Sequence, residues 1–157
     1  MHQILAVIEK HLGIKLSEFD CYIATGGGFE INDPSSDLGV AISILSSLKN
    51  IPPLGSSSFI GELGLSGQVR KSNNLRKKIE EAARLGIKNI VVPKLEEDLN
   101  NNLQNLINIK EISNIKEAVD YCLTGLNIKG TYRLNFCLNF STNSQYLDNH
   151  LDIVALL

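Results

Sequence analysis

The chain has 157 residues, 43% hydrophobic and 20% charged, with a formal net charge of −2. That suits one globular domain with an appendage and excludes general disorder. It also excludes a uniformly basic nucleic-acid binder; no window is long and uncharged enough to span a membrane, and "MHQILAVIEKHLG" lacks the cleavage site of a secretory signal.

In chain order, "HQILAVIEKHLG" sets Ile4, Leu5, Ile8 and Leu12 at helical spacing, with Gly13 to supply a left-handed stop. "DCYIATGGGFEI" reads as an extended segment broken by Gly26, Gly27 and Gly28. Neither GxGxxG nor GKS/T is present, so these glycines are expected to make a turn or bulge, not a phosphate cradle. "SSDLGVAISILSSL" is apolar or small nearly all round, as a buried helix should be. Pro52 and Pro53 then block its continuation.

"SFIGELGLSGQVR" alternates Phe59, Gly61, Leu63, Leu65 and Gly67 against Ile60, Glu62, Gly64 and Ser66, which predicts strand, turn or bulge, strand. "SNNLRKKIEEAARLG" is the clearest helix. Ser72 or Asn73 is its expected cap, Leu75, Ile79, Ala82, Ala83 and Leu85 its expected buried stripe, and Gly86 its end. Its outward face is expected to carry Arg76, Lys77 and Lys78. From Arg70 to Lys88 the block is locally basic, with Arg70, Lys71 and Arg84 adding to these three against only Glu80 and Glu81.

"IKNIVVP" is the kind of short, continuously apolar strand that is buried in parallel or mixed sheets. "LEEDLNNNLQNL" is a polar helix or loop, "INIKEI" a strand, and "NIKEAVDYCL" a last helix closed by Gly125. Helix and strand alternate, so the class is α/β or α+β with helices against a sheet. Residues 1–125 form the expected domain. From Leu126 the composition turns Asn-rich, and residues 126–157 read as an extension. There "YRLNFCLNF" has the alternation of an edge strand, with Leu134, Phe136, Leu138 and Phe140 on one face.

Cys21, Cys122 and Cys137 are odd in number and widely spaced, and His2, His11 and His150 are scattered. No metal is expected, and the expected compartment is a reducing cytoplasm. The chemistry-bearing stretch is "NDPSSDLGVA". A serine at a helix start can act as a nucleophile, since free N–H groups there stabilise an oxyanion. The same residues also serve as helix caps, and a serine needs a base before it is a catalyst.

The ordered set "GGGFEINDPSSDLGVAISILSSL", "PP" and "FIGELGLSGQVRKSNNLRKKIEEAARLGIKNIVVP" resembles the C-terminal domain of the RadA (Sms) family of bacterial DNA repair and recombination proteins, from about Gln3 to Leu123. That domain is similar to the proteolytic domain of Lon. The resemblance implies the Lon-like α/β fold, of the superfold shared with the second domain of ribosomal protein S5. It also implies a hexameric ring in which this domain is scaffold and DNA contact. ATP, magnesium and zinc would belong to the family's N-terminal ATPase and zinc-finger domains, so no cofactor is expected in this one.

Beside Lon, Ser35 falls on the position of the nucleophilic serine, where the resemblance implies alanine for most RadA-like chains. Arg76 falls on the position of the Lon lysine. An arginine does not surrender its proton in proteins, so it cannot activate Ser35. Lys77 and Lys78 lie about 100° and 200° further round the helix, and neither is expected to replace the lost direction. The expected function is therefore a non-proteolytic, non-enzymatic scaffold that contacts DNA through Arg70, Lys71, Arg76, Lys77, Lys78 and Arg84. The alternatives are a residual serine peptidase using Ser35 and a pure subunit-interaction module.

Overall fold

The computed structural model describes residues 2–24, 31–96, 101–123 and 152–156, with 101–102 and 152–156 described by their backbone alone. The elements run α1 (His2–Leu12), β1 (Asp20–Ala24), α2 (Asp37–Lys49), β2 (Ser57–Phe59), β3 (Glu62–Leu63), β4 (Val69–Arg70), α3 (Leu75–Arg84), β5 (Asn89–Pro93), α4 (Asn101–Gln104), β6 (Asn108–Ile112), α5 (Ile115–Leu123) and β7 (Asp152–Leu156). This is the expected mixed α/β class.

The central sheet is parallel, in the order β2-β5-β6, with Ser57 opposite Asn89 and Asn89 opposite Asn108. Its middle strand explains why "NIVVP" is apolar without alternation. Successive side chains point to opposite faces of a strand, and here both faces are covered. Val91 packs with Ile4, Ile8, Leu38, Leu45, Ile115 and Val119, under α1, α2 and α5. Ile90 and Val92 pack with Leu75, Ile79 and Ala82, under α3. Three helices thus lie on one side of the sheet and α3 lies on the other.

Helix α2 is buried from Leu38 through Ser46 except at Gly39, and its serines do not oppose that burial. Ser43 Oγ donates to the Gly39 carbonyl at 2.8 Å and Ser46 Oγ to the Ile51 carbonyl at 2.7 Å, so both hydroxyls are satisfied. Helix α5 begins with a reciprocal cap. The Glu117 N–H donates to Asn114 Oδ1 at 3.0 Å, while Glu117 Oε2 accepts from the Ser113 N–H at 2.8 Å.

The expected strand-turn-strand at "FIGELGLSGQVR" is the antiparallel hairpin β3–β4, pairing Glu62 with Arg70 and Leu63 with Val69. Gly67 turns it at a φ of +80°, a region that disfavours side chains. Two expectations for α3 need correction. The residue at its N-cap is Asn74, in left-handed conformation and without a side-chain cap bond, not Ser72 or Asn73. Leu85 does not belong to the buried stripe: it is 66% exposed, because the helix ends before it and Gly86 turns the chain away.

The triple glycine at 26–28 and the edge strand expected at 132–140 lie outside the described residues. Within the stretch read as an extension, β7 pairs in parallel with β1, Asp20 opposite Asp152. No helix among the described residues is long and apolar enough to cross a membrane.

Candidate functional site

Just beyond β2, the chain meets the turn that precedes α2. There the Gly61 N–H donates to the Ser35 carbonyl at 2.8 Å and the Leu38 N–H donates to the Gly61 carbonyl at 3.1 Å. These bonds anchor the 3-10 turn Pro34–Ser36 that precedes α2. Asp33 caps the turn, its Oδ1 accepting from the Ser35 N–H at 2.9 Å. The capping role expected of this stretch thus falls to the acid, and Ser35 is held with its side chain turned toward α3.

Lys78 reaches it from α3. Its Nζ donates to Ser35 Oγ at 2.6 Å and to Asp33 Oδ2 at 2.6 Å, across separations of 43 and 45 residues. The expectation that Lys78 stands on the outward face, unable to meet Ser35, is therefore corrected. At about 100° per residue, Lys78 sits about 60° from Leu75, on the flank of the buried stripe, and Lys77 points the opposite way. The long lysine stem then lies along the apolar flank while its head reaches the polar turn. Direction measured from the Leu75–Ile79 stripe, not from Arg76, places Lys78 beside the buried face, although not against the serine turn.

Arg76, expected on the position of the Lon lysine, is exposed and bonds Glu80 Oε1 at 3.2 Å one turn on. It does not reach Ser35. Lys78 therefore makes the contact from a position two residues later.

The electrostatics of the triangle are dominated by one charge pair. The hydrogen bond from Lys78, then those from the Ser35 N–H and side chain, hold the Asp33 carboxyl down at about 2. Such a carboxylate is a weak base at neutral pH. Lys78 Nζ is the shared donor to Asp33 Oδ2 and Ser35 Oγ, so in this arrangement it faces the serine hydroxyl as a donor and not as an acceptor. The neighbouring backbone donors are also spent. Ser35 N–H goes to Asp33 Oδ1, Ser36 N–H to the Asp33 carbonyl, Asp37 N–H to the Pro34 carbonyl and Leu38 N–H to the Gly61 carbonyl. Four residues on, the Asp37 carboxyl is pushed up by burial despite accepting from the Leu63 N–H at 3.3 Å.

A cavity of about 400 Å³ opens beside the triangle, lined by Asp33, Pro34, Glu62, Lys71, Ser72, Asn73, Asn74 and Lys78. Ser35 stands behind this lining and is 7% exposed. Among the described residues no group of three or more His, Cys, Asp and Glu could hold a metal ion.

The other residues of the basic block lie on the surface. Arg70, Lys71, Arg76, Lys77 and Arg84 are exposed. Lys71 bridges to Glu96 at 2.8 Å, and Arg84 Nε bonds Glu81 Oε2 at 2.8 Å. Lys77 has no ion-pair partner among the described residues. Helix α3 therefore presents Arg76, Lys77 and Arg84 outward, with Glu80 and Glu81 neutralising part of that charge.

Over 94 residues the chain is 42% identical to the DNA repair protein RadA of Listeria monocytogenes, covering 60% of this chain and 21% of that protein. The RadA of Streptococcus pneumoniae is 44% identical over 91 residues, 58% of this chain and 22% of its own length. The RadA of Rickettsia bellii is 36% identical over 112 residues, 71% of this chain and 25% of its own. The chain thus spans about a fifth to a quarter of the length of these relatives. The family described as subunit ChlI of Mg-chelatase matches residues 27–96. These matches bear out the resemblance to RadA carried by the ordered motifs.

Proposed function

We propose that this RadA-type chain acts as a non-proteolytic, Lon-like scaffold domain in DNA repair and recombination, supporting a hexameric ring and contacting DNA through the outer face of α3. The observation that carries the DNA contact is the exposed basic face of a helix in a chain 36–44% identical to DNA repair proteins. Arg76, Lys77 and Arg84, with Arg70 and Lys71 from the adjoining hairpin and loop, can neutralise phosphates without reading bases. Their surface ion pairs with Glu80, Glu81 and Glu96 are the kind that hold by about 0–1 kcal/mol and exchange readily for a phosphate. In a ring the patch would recur around the assembly and turn weak contacts into avidity.

Binding to fluorescent duplex DNA across a salt series tests this. The triple variant Arg76→Glu, Lys77→Glu, Arg84→Glu is expected to bind more weakly and with a flatter salt slope, losing about 0.9 in slope for each phosphate contact removed. Wild-type binding that is absent, or unchanged by the triple variant, would remove the DNA contact. Lys78 is left intact because its head is engaged with Ser35 and Asp33, so reversing it would disturb the fold as well as the charge. The mass of the assembly in solution tests the ring separately.

The peptidase reading is favoured by one distance, the 2.6 Å from Lys78 Nζ to Ser35 Oγ. Three features support the non-proteolytic reading over it: the carboxylate on Lys78, the spent N–H groups around Ser35, and the low exposure of its side chain. A nucleophile needs a free base and oxyanion donors aimed at open space. An intact unfolded protein substrate after incubation with the chain is the expected result.

A further inference from the structure

We infer that the order of charges along α3 fits this helix to a DNA duplex across a groove and disfavours a single strand. The inference rests on the DNA contact proposed above and names its substrate class. The exposed charges of α3 come in three groups: Arg76 and Lys77 in the first turn, Glu80 and Glu81 in the middle, and Arg84 in the last turn. At about 100° per residue all five fall within about 140° of arc, so they share one face. Along the axis, at about 1.5 Å per residue, the positive ends stand about 10–12 Å apart with the two carboxylates between them. Arg76 leans inward onto Glu80 at 3.2 Å, and Arg84 onto Glu81 through two bonds, Nε to Oε2 at 2.8 Å and Nη2 to Oε1 at 2.5 Å. The side chains of Glu80 and Glu81 are still 51% and 53% exposed, so the acids meet whatever approaches this face.

A duplex presents two phosphate backbones with a gap between them, about 12 Å wide at the major groove. A helix lying across that gap sets Arg76 and Lys77 on one backbone and Arg84 on the other. Glu80 and Glu81 then stand over the groove, clear of both rows of phosphates. A single strand carries a phosphate at every nucleotide. Laid along the same face, it brings phosphates against the two carboxylates, and like charges in contact repel. Each arginine must also exchange its carboxylate for a phosphate, and only across a groove does the released carboxylate have no second phosphate beside it. Lys77, with no ion-pair partner among the described residues, makes its contact without that exchange. Helix α3 carries no aromatic side chain on which unpaired bases could stack, so a single strand gains nothing there to offset the repulsion.

The test is fluorescence anisotropy of the whole chain with one labelled oligonucleotide, offered as a single strand and as its duplex at the same salt concentration, with a thermal melt of each variant alongside. Wild type is expected to bind the duplex more tightly. The double variant Glu80→Gln, Glu81→Gln is expected to tighten single-strand binding roughly 10-fold and duplex binding only roughly 2-fold. A second variant separates placement from net charge: Glu81→Arg with Arg84→Glu keeps the total charge and the pairing distance but moves a cation into the middle of the face. It is expected to bind the single strand more tightly than wild type does and the duplex more weakly. Wild type that binds the single strand as tightly as the duplex, or a ratio of the two affinities that the charge-conserving variant leaves unmoved, overturns the inference while the DNA contact stands. Wild type that binds neither oligonucleotide removes the DNA contact itself, and the inference with it.

Discussion

Val69 fills the space that a side chain on Gly61 would need: a Cβ built there would overlap Val69 Cγ1. The same Gly61 donates its N–H to the Ser35 carbonyl and accepts from Leu38, so the hairpin, the turn and α2 meet at one residue without a side chain. Gly61→Ala is expected to cost about 1–3 kcal/mol through overpacking, because a β-branched neighbour has little rotamer freedom with which to yield. Urea unfolding of the variant measures this, and an unchanged midpoint would count against the close approach.

Helix α3 offers a paired comparison. Ile79 is fully buried in the cluster with Ile90 and Val92, whereas Leu85 is 66% exposed. Ile79→Ala is expected to destabilise by about 3 kcal/mol and Leu85→Ala by less than about 0.5 kcal/mol. Equal losses would mean that the stripe extends to Leu85 after all.

The two acids flanking the serines are expected to move stability in opposite directions with pH. Asp33 has its carboxyl lowered from 3.8 to about 2, by Lys78 first. Its contribution is therefore present above the unfolded value and lost as pH falls through the folded one. Asp37 is raised above 3.8, by burial first, so the folded state binds its proton more tightly and gains stability as pH falls through that raised value. Urea melts over a pH series should show Asp37→Asn removing a gain above the ordinary carboxylate range and Asp33→Asn removing a loss below it. A pH profile unaltered by either substitution would contradict the assignment.

Much of this fold was legible because the burial pattern is local. "NIVVP" reads as a doubly covered strand, and Leu75, Ile79 and Ala82 read as a stripe, since period alone decides which side chains face a core. What escaped was set by the third dimension. Asn74 rather than Ser72 or Asn73 sits at the N-cap of α3, a choice made by the entry of the chain from β4. The contact of Lys78 with Ser35 joins residues 43 positions apart, and it depends on the sheet placing α2 and α3 at the same end. The angle of Lys78 to the stripe was in the sequence, but that α3 faces the serine turn was not. The exposed cations at Arg76, Lys77 and Arg84 were legible; their pairing with Glu80 and Glu81 was only implicit in the spacing.

Strand β5 contributes Val91 to one core and Ile90 and Val92 to the other, so the two hydrophobic clusters share a single wall. Such a wall has no spare face. If α3 lifts away, Ile90 and Val92 meet water, and the backbone that positions Val91 loses its backing at the same moment. The serine turn, bonded to α3 through Lys78, and the basic face of that helix are therefore parts of one melting unit, and damage to either core is felt by both surfaces.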